Sequence, residues 1–305
     1  MKRLALRVGS SDAGERLDRF IAARGGISRG LARRALEAGG VFLDGRRCKV
    51  AGRALRTGQE VMVHLAEGGR APPPAGALDP RRVLFADAHL LAVDKPAGVA
   101  AQPTLTHDRG ALPDLVGRLL GGEVHAVHRL DRETSGVTLL ARTREAAAAL
   151  AEAFRTGAPS KTYLALAARA PAPREGRIEA ALGKDPSRPG RRAVLPSGEP
   201  AATRYRTLRT GPSGAALVEA RPETGRTHQI RVHLAALGAP LLGDPRYGGP
   251  RQVGEVSVPR VMLHASRLEV DHPRSGQRMA FSAPVPEDFA AVEQALVPEG
   301  ATHRD

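Results

Sequence analysis

The sequence predicts an α+β protein of two domains, and three observations support this. Residues 12–66 show two helical patterns followed by strand patterns, residues 67–80 are rich in Pro and Gly, and in residues 81–290 strands outnumber helices. The strands of the third region follow one another as hairpins, which favours a mixed, largely antiparallel sheet with flanking helices over a doubly wound sheet. We expect a linker at residues 67–80 and a frayed tail at residues 291–305.

The small N-terminal α/β domain begins with two short helices. Leu17, Phe20 and Ile21 recur at helical spacing, and "ISRGLARRALEAGG" repeats that spacing before a Gly pair typical of a helix C-terminus. "VFLDGRRCKV" predicts two strands around an Asp-Gly turn, and "GQEVMVHL" alternates like a half-buried strand. The two helices carry five arginines that predict a basic surface: Arg16, Arg19, Arg29, Arg33 and Arg34.

The large domain is predicted to combine hairpins with two helices. Its strand-like stretches, in order, are "VLFADAHLLAVDKP", "VTLLART", "KTYLALAA", "TRYRTLRT", "ALVEARP" and "RLEVDHPRSGQRMAFSAP". The helical stretches are "REAAAALAEAFRTG", which ends at Gly157, and "HQIRVHLAALG", which ends at Gly238.

The charge of the chain is strongly basic. Lys and Arg number 46 against 32 Asp and Glu, a formal net charge of +14. More than half of the excess lies in the first 70 residues, so we expect a polyanionic partner and a nucleic-acid module at the N-terminus. The aromatic share of 3% counts against a surface that stacks many single-stranded bases.

Several classes of protein are excluded or disfavoured. Cys48 is the only cysteine, which excludes disulfides and cysteine-based metal sites and favours the reducing cytoplasm. No apolar run approaches the ~20 residues that span a membrane. Because phosphate-loop, dinucleotide-binding and His-Glu-x-x-His motifs are all missing from the sequence, we expect neither a metal nor an organic cofactor.

The stretch "HRLDRETSG" at residues 128–136 directly precedes a strand-like run. Asp131 lies between Arg129 and Arg132, whose charges favour an ionised carboxylate, which is a nucleophile or a base. Functional side chains are often placed on loops by a rigid scaffold. On this stretch alone, a catalytic Asp131 and an aspartate that only clamps a turn are equally good interpretations.

A second stretch, residues 220–249, predicts an anion site. A turn at Glu223-Thr224-Gly225 brings Arg226, Thr227 and His228 to the start of a helix that carries Arg231. Amides at a helix start and two arginines suit either a phosphate or the Asp131 carboxylate. The alternative for Arg231 is a surface ion pair worth ~0–1 kcal/mol.

Two families are recognisable on quoted motifs. In "GERLDRFIA", "ISRGLARRALEAGGVFLDG" and "GQEV", residues 12–66 resemble the S-four-type RNA-binding domain, with a regulatory or packing domain as the alternative. Residues 81–290 resemble the catalytic domain of RluA-type RNA pseudouridine synthases, and five motifs occur in family order: "LLAVDKPAGVAAQP", "HRLDRETSGVTLLART", "KTYLAL", "TGRTHQIRVHLAALGAPLLGDPRYGG" and "LHASRLEVDHPRSG". The two domains together resemble the subgroup that modifies large-subunit ribosomal RNA.

The resemblance implies roles for individual residues. Asp131 corresponds to the aspartate that starts uridine isomerisation, whether at C1′, at C6 or through a glycal, and Arg231 to the arginine paired with it. Tyr163 corresponds to the tyrosine that contacts the base and takes part in removing the C5 proton, although a lone Tyr is also typical of a core. The motifs imply substrate contacts by six further residues: Lys95, His128, Arg129, Thr134, Arg226 and His228.

The sequence departs from the family at Glu199-Pro200, where a lysine is usual, and in "AARAPAP" after "KTYLAL". The expected function is RNA pseudouridine synthesis, an isomerase activity, on uridines of large-subunit ribosomal RNA by a cytoplasmic monomer without an obligate protein partner. Transfer RNA is an alternative target, and a non-catalytic RNA-binding or ribosome-assembly factor is an alternative class. Hydrolysis of a glycosidic bond would require a second carboxylate, for which Glu133 is the only near neighbour.

Overall fold

The structure, a computed structural model, describes residues 2–65, 76–103, 105 and 110–299. The chain divides into two compact units, Met1–Leu78 with Gln102–Gly121, and Asp79–Ala101 with Gly122–Asp305. Most of the predicted linker lies outside the described residues, and its last residue begins the 3₁₀ turn Pro80–Arg82.

In its described residues, the first unit contains a four-stranded antiparallel sheet and three helices. Its elements are β1 (Lys2–Arg7), α1 (Leu17–Gly25), α2 (Arg29–Ala38), β2 (Val41–Leu43), β3 (Arg46–Arg47), β4 (Glu60–Leu65) and α3 (Leu112–Leu120). The strand order is β1-β4-β2-β3. Because β1 pairs with β4 along its whole length, the predicted domain start at residue 12 is too late.

Both predicted helices of this unit end at a glycine in the left-handed conformation, and α2 also has a side-chain cap at its start. The Ser28 side chain accepts a hydrogen bond from the backbone N–H of Leu31, and α2 ends at Gly39 in the left-handed conformation that glycine adopts at low cost. The apolar face predicted for α1, including Leu17, Phe20 and Ile21, is fully buried in the core of this unit.

The second unit contains a ten-stranded sheet, two small hairpins and three helices. In chain order its elements are β5 (Val83–Ala86), β6 (Leu90–Lys95), β7 (His125–Ala126), β8 (Ser135–Ala141), α4 (Arg144–Thr156), β9 (Ser160–Ala167), β10 (Glu175–Glu179), β11 (Leu182–Lys184), β12 (Arg192–Val194), β13 (Ala202–Thr210), β14 (Ala216–Pro222), α5 (Gln229–Ala236), β15 (Gln252–Val253), β16 (Val256–Ser257), β17 (Leu263–Asp271), β18 (Arg278–Ser282) and α6 (Glu287–Leu296).

The large sheet is mixed and largely antiparallel, so the predicted fold class is confirmed. Its order is β10-β13-β14-β9-β17-β8-β6-β5, with β18 beside β17 and β7 beside β8. Among the described strands, the single parallel pairing joins β8 to β17. Gly136 makes this pairing possible: its φ is 111°, and a Cβ there would lie 2.2 Å from the carbonyl oxygen of Ala265.

The tail prediction is wrong for residues 291–296. These residues form the second half of α6, whose Phe289, Val292 and Leu296 are buried. Helical spacing brings the three side chains to one face, where burial of apolar surface stabilises the helix. Residues 300–305 of the predicted tail lie outside the described part of the chain.

Candidate active site

The loop that carries Asp131 is attached to the end of β6 by a buried lysine. Lys95 is fully buried, and its Nζ donates hydrogen bonds to the carbonyl oxygens of Pro96 (3.0 Å), Val99 (2.8 Å) and Arg132 (3.2 Å). Burial, together with the charge of Arg260, lowers the pKa of Lys95 to about 7. With its ammonium enclosed by carbonyls, Lys95 supports the loop, and its predicted contact with substrate is corrected.

Two further predicted substrate contacts are also used inside the fold. His128 Nε2 accepts a hydrogen bond from the backbone N–H of Leu139 at 2.8 Å, and its ring stacks on Phe154 with the centroids 4.3 Å apart. Burial lowers the pKa of His128 to about 3, so the ring is neutral. Thr134 is buried and its backbone N–H donates to the carbonyl of Asp131 at 3.1 Å. These groups position the loop, and their contacts with substrate stay predictions.

Asp131 and Arg231 meet across one hundred residues of sequence. The Nη1 of Arg231 donates to Oδ2 of Asp131 at 2.9 Å, while 16% of the Asp131 side chain remains exposed. The sequence neighbours take other positions: Arg132 Nε donates to the carbonyl of Gly98 at 2.7 Å, and Arg129 is exposed. Within the described residues, the ion-pair partner of Asp131 is therefore Arg231 rather than a flanking arginine, and the His228 ring lies 3.7 Å from the same carboxylate oxygen.

Arg231 is itself fixed from behind by Asp244. Its Nε and Nη2 donate to the two carboxylate oxygens of Asp244 at 2.7 and 2.9 Å, and both side chains are buried. Burial acts to lower the pKa of Arg231, but the carboxylates of Asp244 and Asp131 outweigh it and raise the pKa. The guanidinium also lies over the ring of Tyr247, with Cζ 5.1 Å from the centroid. The surface ion pair considered from sequence is thus replaced by a buried, oriented one.

His228 is the second group that faces Asp131. It precedes α5 with φ 60° and ψ 17°, a left-handed conformation that is uncommon for a residue with a side chain. Its Nδ1 lies 2.7 Å from the hydroxyl of Tyr247, and its Nε2 lies 3.7 Å from Oδ2 of Asp131. Although Asp131 acts in the opposite direction, burial lowers the pKa of His228 to about 4, so the ring is neutral near pH 7.

The tautomer of His228 follows from the contacts of Tyr247. The Tyr247 hydroxyl accepts a hydrogen bond from the backbone N–H of Arg192 at 3.0 Å. Among its contacts in the described residues, Nδ1 of His228 at 2.7 Å is the atom that can accept its proton, and we assign the tautomer on that basis. The proton of the neutral imidazole is then on Nε2, the nitrogen that faces Asp131.

Tyr163 lies half-buried on β9, beside the buried apolar group Ala101, Leu130 and Ala265. Burial and, to a smaller extent, the negative charge of Asp131 raise the pKa of Tyr163, which keeps its phenol neutral. A neutral phenol suits contact with a base and is a poor proton acceptor.

Glu199 and Pro200, which replace the residues usual in the family, both contact Arg226. The Nη1 of Arg226 pairs with Oε2 of Glu199 at 2.7 Å, and its Nε donates to the carbonyl of Pro200 at 3.1 Å. A small pocket beside this pair is lined by Leu182, Arg192, Glu199, Gly225, Arg226 and Thr227. The guanidinium predicted to contact substrate is thus partly neutralised by Glu199.

Of the five arginines predicted to bind RNA, the first unit brings three together. Arg16, Arg29 and Arg33 all hydrogen-bond to the buried carboxylate of Asp18. Arg19 instead pairs with Glu15 at 3.8 Å, and Arg34 is exposed on α2.

Asp18, Asp244 and Tyr247 were given no role from the sequence. Asp244 and Tyr247 lie in "GDPRYGG", an acidic and an aromatic residue in a Gly- and Pro-rich turn shortly after Arg231. That combination was the available signal, because a buried arginine needs an acidic partner. In the residues that the structure describes, no group of three or more His, Cys, Asp or Glu side chains could hold a metal ion, and no helix could span a membrane.

Known proteins resemble both parts of the chain. Residues 89–236 match the family described as RNA pseudouridylate synthase, and residues 15–61 match the S4 domain, the S-four-type domain named above. An uncharacterized RNA pseudouridine synthase of Chloroflexus aurantiacus is 39% identical over 95% of this chain and 92% of its own length. The dual-specificity RNA pseudouridine synthase RluA of Escherichia coli K12 is 37% identical over 66% of this chain and 92% of its own length.

Solved structures agree with these matches. Human RNA Pseudouridylate Synthase Domain Containing 1 has a TM-score of 0.60 and 26% identity over 72% of this chain and 89% of its own. Human RNA Pseudouridylate Synthase Domain Containing 4 has a TM-score of 0.56 and 27% identity over 70% and 92%. The fold, the S4 domain and the aspartate–arginine site define an RNA-modifying isomerase. The chain belongs to the RNA pseudouridine synthase family.

Proposed function

We propose that this protein converts specific uridines of large-subunit ribosomal RNA to pseudouridine, and that Asp131 starts the reaction on a nucleotide turned out of its stack. The observation that carries the proposal is the Asp131–Arg231 pair, 2.9 Å apart, in which the carboxylate is fixed and still reachable. A relative in Nitrosomonas europaea, 39% identical over 71% of this chain and 65% of its own length, is named ribosomal large subunit pseudouridine synthase D, which supports the ribosomal target.

The chemistry balances within the substrate. The bond between N1 of the base and C1′ of the ribose breaks, a bond between C5 and C1′ forms, and the proton lost from C5 is replaced by one gained at N1. The Asp131 carboxylate supplies the electron pair that starts the exchange. Arg231, which donates to Oδ2 at 2.9 Å, holds the carboxylate in position, and His228 Nε2 lies 3.7 Å from the same oxygen. A carboxylate held in place lowers the entropic part of the barrier.

Tyr163 and Arg129 are the residues that we propose contact the nucleotide. The neutral phenol of Tyr163, close enough to Asp131 to sense its charge, contacts the base. Arg129 is exposed two residues before Asp131 and helps to hold the everted nucleotide. Unstacking a base costs a few kcal/mol, which basic contacts to the flanking phosphates offset.

The test compares two carboxylate-to-amide variants two residues apart. Asp131→Asn should abolish pseudouridine formation and leave RNA affinity within about threefold of the unaltered protein, because only the reactive oxygen is lost. Glu133→Gln, the same change at an exposed neighbour, is the matched control and should retain turnover. Loss of binding in parallel with activity in Asp131→Asn would identify a structural aspartate, and free uracil among the products would indicate glycosidic hydrolysis.

The target is tested in cells. Pseudouridine is mapped in ribosomal and transfer RNA from cells that lack the protein, and then after rescue with the unaltered chain or with Asp131→Asn. We expect one or more large-subunit positions to lose the modification and to regain it only with the unaltered chain. Restoration confined to transfer RNA would refute the ribosomal target. We further propose that the protein is cytoplasmic and monomeric. For the monomer, light scattering of the purified protein should give the mass of one chain.

A further inference from the structure

The parallel contact between β8 and β17 is short, and it lies next to the loop that carries Asp131. It consists of two residue pairs, in one of which Ser135 lies opposite His264. Ser135 is the first residue of β8 and follows Asp131 by four positions. On its other side β17 pairs with β9, the strand that carries Tyr163. β17 therefore lies between the Asp131 loop and the strand of Tyr163.

A side-chain hydrogen bond crosses this contact. The Oγ of Ser135 lies 3.0 Å from Nδ1 of His264, and the two residues are buried, at 1% and 0% exposed. On the other side of the imidazole, Nε2 lies 3.3 Å from the carbonyl oxygen of Ala283, which directly follows β18. The ring of His264 thus links β8 to β17 and to the end of β18.

The direction of this bond follows from the two contacts of the ring. A carbonyl oxygen can only accept, so the contact with Ala283 places the imidazole proton on Nε2. Burial lowers the pKa of His264 to about 4, so the ring carries only that one proton near pH 7. Nδ1 is then an acceptor, and the Ser135 hydroxyl donates to it. Because both groups are shielded from water, solvent does not replace this bond when it is lost.

The bond specifies how β8 is aligned with β17. A contact of two residue pairs contains few backbone hydrogen bonds, so the backbone alone fixes its register weakly. A slip of one residue would turn the side chains of β8 to the opposite face and separate Ser135 from His264. In the observed register, Asp131 reaches Arg231 at 2.9 Å. The buried bond thus favours the alignment in which the site is assembled.

We propose that Ser135 and His264 are positioning residues for the isomerisation, whose hydrogen bond holds the Asp131 loop in register with the strand of Tyr163. The inference rests on the proposed function, in which Asp131 starts the reaction. In the described residues neither side chain hydrogen-bonds to Asp131, so their effect on the reaction comes through the position of the loop. A misplacement of about 1 Å can slow a reaction about 100-fold, so such an effect is large enough to measure.

The first test removes the hydroxyl. Ser135→Ala should lower the single-turnover rate at saturating protein about tenfold, because the Asp131 loop is less well held. The protein concentration at half-saturation should stay within about twofold, because the buried bond does not contact RNA. The full chain is mixed in excess with total RNA from cells that lack the protein, and pseudouridine is counted over time. Circular dichroism verifies that each variant is folded.

Thr138→Val is the matched control. Thr138 is also buried on β8, but its hydroxyl bonds within its own strand, to the carbonyl of Gly136 at 3.4 Å. The rate of this variant should stay within about twofold of the unaltered protein, because no bond to β17 is lost. Equal losses of rate in Ser135→Ala and Thr138→Val would show that any buried hydroxyl of β8 matters through stability, and would overturn the inference.

Two substitutions of His264 separate positioning from stability. The amide oxygen of asparagine lies near the place of Nδ1, so His264→Asn keeps an acceptor for Ser135 and loses the bond to Ala283. The amide nitrogen of glutamine lies near the place of Nε2, so His264→Gln keeps the bond to Ala283 and loses the acceptor. Asparagine is smaller and leaves the larger cavity, so His264→Asn should be the less stable variant. It should nevertheless be about fivefold faster than His264→Gln.

The order of the two rates decides between the explanations, also when Ser135→Ala does not fold. Equal rates, or a faster His264→Gln, would show that His264 acts through stability and would overturn the inference. An unaltered protein that forms no pseudouridine would refute the proposed reaction and this inference with it. An active protein whose Ser135→Ala variant is folded and keeps its rate would refute the inference alone.

Discussion

Asp244 orients Arg231 so that a single nitrogen of the guanidinium remains for Asp131. Two of the donors of Arg231 are taken by the carboxylate of Asp244 at 2.7 and 2.9 Å, and Nη1 points to Asp131 at 2.9 Å. The position of the Asp131 carboxylate is therefore set by a residue that does not touch it.

The first prediction concerns this anchor. Asp244→Asn should lower kcat by about 100-fold with little change in KM, because a displaced guanidinium misplaces the reactive oxygen. It should also cost about 3 kcal/mol of unfolding free energy, since a buried arginine loses its charged partner. Asp288→Asn is the control, as Asp288 makes an equivalent two-point pair with buried Arg260 at 2.6 and 2.9 Å. Equal losses of kcat in the two variants would contradict a specific role for Asp244.

The second prediction concerns the imidazole proton. Tyr247→Phe removes the hydroxyl that directs a proton to Nδ1 of His228, so both tautomers become populated. We expect turnover to fall about fivefold to tenfold, in line with the loss of one hydrogen bond, while RNA affinity is retained. Nitrogen-15 NMR should show Nε2–H in the unaltered protein and a mixture in the variant. A histidine that is already mixed in the unaltered protein would refute the tautomer assignment.

A third prediction follows from the departure at residue 199. Glu199→Lys should free Arg226 and restore the cation that is usual in the family, so RNA should bind severalfold more tightly at low salt. The exposed Glu255, in the turn between β15 and β16, supplies the control variant Glu255→Lys with the same charge change. If both variants tighten binding equally, net charge alone explains the effect.

The fourth prediction is a dependence of stability on acid. Burial lowers the pKa of His128 to about 3 and those of His228 and His264 to about 4. In the unfolded chain these rings take up protons near their ordinary value of about 6.5, whereas in the folded protein they stay neutral, so unfolding becomes easier as the pH falls from 6.5 towards 4.

Each such histidine should contribute a slope of about 1.4 kcal/mol per pH unit within that window. Urea unfolding between pH 7 and pH 4.5 measures the slope for the unaltered protein. His264→Gln should reduce it by about one histidine's share, because its ring then no longer takes up a proton on unfolding. A variant with the same slope as the unaltered protein would contradict the prediction.

Regular patterns made most of the fold predictable, and elements without such patterns were missed. β10 has the sequence EGRIE and is largely exposed, so no apolar alternation marks it. α6 carries apolar residues at helical spacing, but the polar segment that follows it favoured fraying. α3 begins with Leu112-Pro113 and also carries apolar residues at helical spacing, so its sequence does contain a helical pattern.

The site was predictable where residue type and motif order were enough. Asp131 and Arg231 stand in motifs, and the anion site left open in the sequence receives the carboxylate of Asp131. The burial of Lys95 could not be predicted, because "DKPAG" looks like an exposed turn until two carbonyls of its own loop and one of the Asp131 loop converge on the ammonium. The contacts of Asp18 likewise could not be predicted, because they depend on how α1 and α2 bring three arginines to its carboxylate.

The parallel contact of β8 with β17, which Gly136 permits, spans only two residue pairs. Asp131 enters from the strands on one side of that short seam, whereas Arg231 and Tyr163 belong to strands and a helix on the other side. Neither part of the sheet therefore carries both residues of the Asp131–Arg231 pair. Mild heating that separates β8 from β17 should therefore abolish turnover while most of the secondary structure remains. Loss of activity should then be detected at a lower temperature than loss of secondary structure.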